Sequence, residues 1–311
     1  MPRHFLTLLD LQREELLALT ERAIELKALR GRPEHPRPLA GKSVAVLMEK
    51  ASTRTRISFE VGIHELGGAP IALVGRDLQL GRNEPLGDTA KVLSRYLSAV
   101  VVRTHGHDRL EELAAASEVP FVNALTDSFH PCQLLADLMT IREKRAAGLE
   151  DLHVAWVGDG NNMAHSWILA ASLLDFRLTL ACPEGYRPDE QVLALGRAQK
   201  AGQIELCASV EDAVKGAHVV TTDVWASMGQ EQEAAARIEA FADYTVTAQH
   251  MEQAASDAIF LHCLPAHRGE EVAAEVIDGP ASHVWDQAEN RLHSQKALLE
   301  LLLGPQASAP K

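Results

Sequence analysis

The chain reads as an α/β protein built from two open parallel-sheet domains, with helices on both faces of each sheet and two helices linking them. Two observations lead there. Its 311 residues exceed what a single hydrophobic core usually serves. Short apolar runs of strand length also alternate with segments of helical period along the whole chain, which is the pattern of parallel strands buried on both sides.

In order along the chain, Asp10 can cap a helix that carries Leu16, Leu19, Ala23 and Leu26 on one face, and Pro33, Pro36 and Pro38 then stop it. Ser43–Met48 is an apolar strand, followed by a helix over 53–66 that Gly67-Gly68 closes. A strand over 71–74, a long loop over 75–87, a helix from Asp88 to Leu97 and an apolar strand over 99–102 complete a first set, together with a strand over 120–124. Pro131 opens a long helix through 147, with the proline in the first turn where its missing N–H costs nothing. A second cycle starts near Asp151. Strands over 153–157, 178–181, 204–206, 218–222 and 258–261 alternate with helices over 162–174, 189–201 and 232–241, and a last helix spans 287–303. The division this predicts is 1–133 for the first domain, 134–148 for a linking helix and 149–286 for the second domain, with 287–303 packing back on the first.

Composition narrows the function. Hydrophobic residues are 46% and charged residues 23% of the chain, which excludes a mostly disordered protein. Asp and Glu exceed Lys and Arg by 43 to 30, an excess that speaks against a general nucleic-acid binder. No apolar run approaches the ~20 residues that span a bilayer, so no membrane partner is expected. The first residues lack the apolar core of a signal peptide. Four cysteines are too few for a disulfide framework in a chain this long and suit a reducing cytoplasm.

In open α/β sheets the chemistry gathers at the carboxyl ends of strands. After the first strand come Lys50, Ser52, Thr53, Arg54, Thr55 and Arg56, at the start of a helix. Helix N-termini present unpaired N–H groups and about half a positive charge, and hydroxyls with an arginine fork add to a site for phosphate. Arg54 and Arg56 lie ~200° apart around a helix, so Arg54 is assigned inward and Arg56 outward, toward Glu60. A plain Ser/Thr cap with solvated arginines is the alternative. Arg103 ends an apolar strand. His130 and Gln133 open the long helix, where a positive helix end keeps an imidazole neutral and able to donate toward a carbonyl oxygen.

In the second half, Gly158-Asp159-Gly160 follows a strand like a dinucleotide fingerprint but has Met163 where a third glycine belongs, which is weak support for NAD. Asp223 puts a carboxylate at the next strand end, suited to a cation, with Ser227 and Met228 just beyond. His262-Cys263-Leu264-Pro265 ends the last strand, and Arg291 opens the last helix. A Cys₂His₂ zinc site from His130, Cys132, His262 and Cys263 is disfavoured, because adjacent His-Cys pairs do not have the usual ligand spacing.

Ser52-Thr53-Arg54-Thr55-Arg56, His130-Pro131-Cys132-Gln133, Asp223 with Ser227-Met228-Gly229, and His262-Cys263-Leu264-Pro265 together resemble the ornithine carbamoyltransferases, in order and spacing. The first two motifs are shared with aspartate carbamoyltransferases, and the resemblance runs over nearly the whole chain. It implies transfer of a carbamoyl group from carbamoyl phosphate to the δ-amine of L-ornithine, giving citrulline and phosphate, in arginine metabolism on the biosynthetic side. It implies an N-terminal carbamoyl phosphate domain, a C-terminal amino-acid domain and a cytoplasmic homotrimer or multiple of trimers with shared sites. No cofactor or metal is implied.

By resemblance, Ser52, Thr53, Arg54, Thr55, Arg103, His130 and Gln133 bind carbamoyl phosphate, and a neighbouring subunit lends Gln79. Cys263, Leu264 and Arg291 finish that site. Asn162, Asp223, Ser227 and Met228 bind ornithine, and Arg103, His130 and Cys263 are the catalytic set. A carbamoyltransferase for another amine, such as putrescine or an acylated ornithine, is the alternative within the class. A non-catalytic NAD-binding protein is the alternative outside it.

Overall fold

A computed structural model describes residues 2–75, 84–145, 147–149, 151–198, 203–226 and 233–305. Two parallel sheets with helices are present, as the sequence predicts. By internal contacts the chain divides into one unit of 1–139 with 289–311 and a second of 140–288. It passes between them twice, each time inside a helix.

The first unit holds a four-stranded sheet in the order β2-β1-β3-β4. Its strands are β1 (Ser43–Met48), β2 (Ala69–Val74), β3 (Ala99–Arg103) and β4 (Phe121–Leu125), all paired in parallel. Around them run α1 (Arg13–Ala28), α2 (Thr53–Glu65), α3 (Leu86–Tyr96), α4 (His107–Ala115) and α5 (Pro131–Lys144), the last crossing into the second unit. Every residue of β3 is buried, which explains why it reads as a continuous apolar run. Because β2 lies on one side of β1 and β3 on the other, the strand order reverses between β1 and β3. Open α/β sheets leave a crevice at such a point, outside the strand carboxyl ends.

The second unit holds β5 (His153–Val157), β6 (Arg177–Ala181), β7 (Ile204–Cys207), β8 (Val219–Thr222) and β9 (Ile259–His262), parallel and in the order β7-β6-β5-β8-β9. Its order reverses between β5 and β8. The helices are α6 (Asn162–Leu174), α7 (Glu190–Ala198), α8 (Val210–Val214), α9 (Ala234–Ala240), α10 (Ala248–Gln253) and α11 (Ala274–Ile277). The last helix, α12 (Val284–Leu303), starts three residues earlier than the sequence predicts and returns to the first unit. There Gly62 of α2 lets it approach closely, since a Cβ at Gly62 would stand 3.2 Å from Lys296 Cγ.

Among the described residues, four short α-helices, α4 among them, are not predicted by the sequence. α4 offers only Leu110, Leu113 and Ala114 to the core, and α8, α10 and α11 have six residues or fewer. The long helix from Pro131 ends at Lys144 rather than at 147. The Gly158-x-Gly160 turn serves packing: a Cβ at Gly160 would lie 2.1 Å from the Pro188 nitrogen, and Gly158 has a φ of 123°. A dinucleotide is not needed to explain either glycine.

The second unit also carries an acid-sensitive histidine. His153, at the start of β5, is 7% exposed, and its Nε2 lies 2.9 Å from the Thr179 hydroxyl. Burial first, then the nearby Arg177 charge, lowers its pKa to about 4. The unfolded chain therefore binds a proton at this ring between pH 6.5 and 4 that the folded chain does not, and stability falls as pH drops through that window. His153→Gln is expected to flatten the loss of Tm between about pH 7 and 4.5. Equal slopes for the two proteins would contradict this assignment.

Candidate active site

The strand-end groups of the first unit converge on one hydroxyl. Ser52 caps α2, and its Oγ accepts from the Thr55 N–H at 3.3 Å and donates to Thr55 Oγ1 at 3.0 Å. Arg291 Nη2, from α12, donates to the same Oγ1 at 2.8 Å, and Arg103 Nη1, from the end of β3, at 3.4 Å. Thr55, Arg103 and Arg291 are buried at 0%, 9% and 3% exposure. Two guanidiniums gathered on one buried oxygen repel each other, and an anion beside them would offset that repulsion.

His130 is 4% exposed, and its pKa lies well below the ordinary imidazole value. Burial is the main cause, followed by the charges of Arg291, Arg103 and Arg54. The ring is therefore neutral, as the sequence predicts, although the sequence reading credits the helix end with this. Those three arginines also place Arg54 in the same cluster. Gln133, on the first turn of α5, is 1% exposed.

The two arginines of the first motif separate as expected. Arg56 is half exposed and its Nε donates to Glu60 at 2.7 Å. Lys50 pairs with Asp127 at 2.8 Å. Thr53 is exposed on the first turn of α2, and the simple cap reading holds for Ser52 alone.

In the second unit Asp223 follows β8 and is 8% exposed. Its Oδ1 accepts from Val224 N at 2.8 Å and from Cys263 Sγ at 3.1 Å, and its Oδ2 accepts from Asn161 Nδ2 at 3.1 Å. The Asn161 bond spans the reversal between β5 and β8. Asn161 also caps α6, accepting from Met163 N and Ala164 N through Oδ1. Sequence reasoning singles out Asn162, the first residue of α6, and misses Asn161. Its position directly before a helix is the available signal.

Cys263 and Leu264 are held by a buried chain of side chains. Leu264 has φ of 58°, a left-handed conformation that costs an L-residue ~1–2 kcal/mol. Its N–H donates to His262 Nδ1 at 2.9 Å, so the ring proton sits on Nε2, which is 3.1 Å from Glu271 Oε1. His262 and Glu271 are 1% and 0% exposed, and Gln287 Oε1 accepts from the His262 N–H at 3.0 Å. Glu271 and Gln287 carry no motif signal and go unrecognised in the sequence.

Asp223, His262 and Cys263 place one ligand atom each within 4.8 Å of one another. Cys132 belongs elsewhere: it is fully buried, donates to Asn123 O at 3.2 Å, and burial pushes its thiol up to about 12. Gln79, Ser227 and Met228 lie outside the described residues.

Each unit thus presents its own group of side chains at the strand ends. The first gathers cations and hydroxyls that suit an anionic, carbonyl-bearing ligand, and the second offers a carboxylate and a thiol that suit an amine. A protein with both is equipped to transfer an acyl-type group to an amine.

Comparison with known proteins fits this class. The model of the carbamoyl-P binding domain of aspartate/ornithine carbamoyltransferase matches residues 3–143, and that of the Asp/Orn binding domain matches 150–302. The chain belongs to the aspartate/ornithine carbamoyltransferase family. It is 54% identical over 304 residues to the ornithine carbamoyltransferase of Desulfotalea psychrophila, covering 98% of this chain and 100% of that protein. It is also 54% identical to the anabolic ornithine carbamoyltransferase of Pseudomonas aeruginosa, covering 97% of each. Among solved structures, the ornithine carbamoyltransferase of Pyrococcus furiosus superposes with a TM-score of 0.92 at 48% identity over 97% of each chain.

Proposed function

We propose that this chain catalyses attack of the δ-amine of L-ornithine on the carbonyl of carbamoyl phosphate, giving L-citrulline and phosphate in the direction of arginine synthesis. The observation that carries the choice of acceptor is Asp223 with its three donors. A dicarboxylate such as aspartate would call for cations at that strand end, whereas a carboxylate there attracts the α-ammonium of ornithine. Relatives named anabolic, at 54% and 52% identity, support the biosynthetic direction.

In this reading the phosphate rests on the N–H groups and hydroxyls of Ser52, Thr53 and Thr55 with Arg54. Arg103, the neutral His130 and Thr55 polarise the carbonyl and stabilise the oxyanion that develops on it. Gln133 and the backbone near Cys263 and Leu264 hold the carbamoyl N–H₂. Asp223 takes the α-ammonium, Asn162, Ser227 and Met228 the rest of the amino acid, and Cys263 sits beside the δ-amine. Only the free amine attacks. With a pKa of ~10.4 it is ~0.1% of the substrate near pH 7.4, equivalent to ~4 kcal/mol, which positioning of two bound reactants can offset. As the tetrahedral intermediate collapses, phosphate departs with the C–O electron pair and one of its oxygens takes the proton from the nitrogen.

The proposal includes a cytoplasmic homotrimer in which Gln79 completes the site of a neighbouring subunit. Exposed apolar side chains on the first unit, Ile57, Val92 and Tyr96, support a subunit contact in this reading. Among the described residues no helix is long and apolar enough to cross a membrane.

The test is colorimetric detection of the ureido product with ornithine, aspartate and putrescine offered separately, the ornithine product being citrulline. Ornithine alone is expected to react well, with kcat/KM rising from about pH 6.5 toward 8.5 as more free amine is available. A preference for putrescine, or a flat profile, would refute this reading.

A further inference from the structure

Gln133 Nε2 donates to Asp137 Oδ1 at 2.8 Å, one turn along α5, and both side chains are buried at 1% and 0% exposure. The other end of the same amide, Gln133 Oε1, is buried and has no hydrogen-bond partner among the described residues. The two ends of a glutamine amide have opposite chemistry, and a carboxylate can only accept. Asp137 therefore takes the N–H₂ end and leaves the carbonyl oxygen as the end available to a ligand.

We propose that Asp137 is a positioning residue that fixes the Gln133 amide with its oxygen toward the donor substrate, so that the site selects a donor group bearing N–H₂. The inference rests on the carbamoyl phosphate reading of the first unit. Its ligand chemistry is specific: a planar carbonyl with a primary amide nitrogen, attached to a phosphate or phosphonate. An acetyl group has the same shape but puts a methyl where the N–H₂ would be, leaving Gln133 Oε1 buried and unpaired. That loss corresponds to a discrimination of about 5- to 100-fold.

Two stable mimics of equal shape separate the effects. Phosphonoacetamide presents N–H₂ and acetonylphosphonate presents methyl, and their binding can be measured by calorimetry without turnover. The wild-type protein is expected to bind the amide about tenfold or more tightly than the ketone. Asp137→Asn removes the constraint, since the introduced amide can donate to Gln133 Oε1 and turn the glutamine over, and the ratio is expected to fall toward one.

The double variant Gln133→Glu with Asp137→Asn restores the arrangement. The N–H₂ introduced at position 137 donates to one oxygen of the carboxylate introduced at position 133, and the second carboxylate oxygen stays available to the ligand. The ratio is expected to recover, which a merely structural role of Asp137 would not produce. An unchanged ratio in the single variant, or no recovery in the double variant, would overturn the proposal. Equal affinity of the wild-type protein for the two mimics would overturn it without any variant. Failure of the functional reading looks different: neither mimic would bind, and no citrulline would form.

Discussion

Arg54→Gly is expected to lower citrulline formation by about 10²–10³-fold while the protein keeps its fold. Arg54 lies on the first turn of α2 among the charges that act on His130, and it is only partly buried. Glycine near a helix start costs ~1 kcal/mol at most, so Tm should shift by a few degrees. The loss should fall on carbamoyl phosphate binding and on kcat together, since the guanidinium is assigned to the phosphate in both ground and transition states. Arg56→Gly is the matched control. Its surface pair with Glu60 contributes ~0.5 kcal/mol, and activity should be nearly normal. Two arginines separated by one residue would then have opposite fates for a reason that helix geometry supplies. Near-normal activity of Arg54→Gly would remove the anion site from the account.

Asp223→Asn is expected to strike the other substrate. Asparagine has the same shape and its single side-chain oxygen can still accept from Val224 N, so the loop after β8 should stay in place even though the bond from Asn161 is lost. What it loses is the charge that attracts the α-ammonium. A charge-assisted bond in a buried setting is worth ~3 kcal/mol or more, so kcat/KM for ornithine should fall about 10²–10³-fold. Affinity for carbamoyl phosphate, measured by calorimetry, should change little. Equal weakening of both substrates would mean that Asp223 supports the structure rather than the amino acid.

The strand-end rule makes most of the site legible in the sequence. Arg103 is placed because a fully apolar run delivers its next side chain past the sheet edge, and Asp223 and Cys263 are placed by the same reasoning. The assignment of Arg54 inward and Arg56 outward follows from ~100° per residue alone. What escapes are groups whose importance lies in a partner far along the chain. Glu271 and Gln287 reach His262 from 9 and 25 residues away, and no local pattern marks them. Asn161 is overlooked beside Asn162 because a cap and a ligand-binding residue look alike in sequence. Asp137 is the exception, since its spacing of four from Gln133 puts the two side chains on one helix face and could be read directly. Among the elements, β1, β5 and α6 are recognised to the residue. Helix α4 is missed because it has a glycine cap, a His-Asp start and too few apolar positions to show a period.

The proposed reaction depends on the two strand-end groups serving one pair of substrates. A bisubstrate mimic, a phosphonate joined through an acetyl group to the δ-nitrogen of ornithine, tests this most directly in a crystal structure of the protein. One molecule of it is expected to meet Ser52, Arg54 and His130 at the phosphonate end and Asp223 and Cys263 at the amino-acid end. A mimic held by the first group alone, with its ornithine portion in solvent, would contradict that dependence.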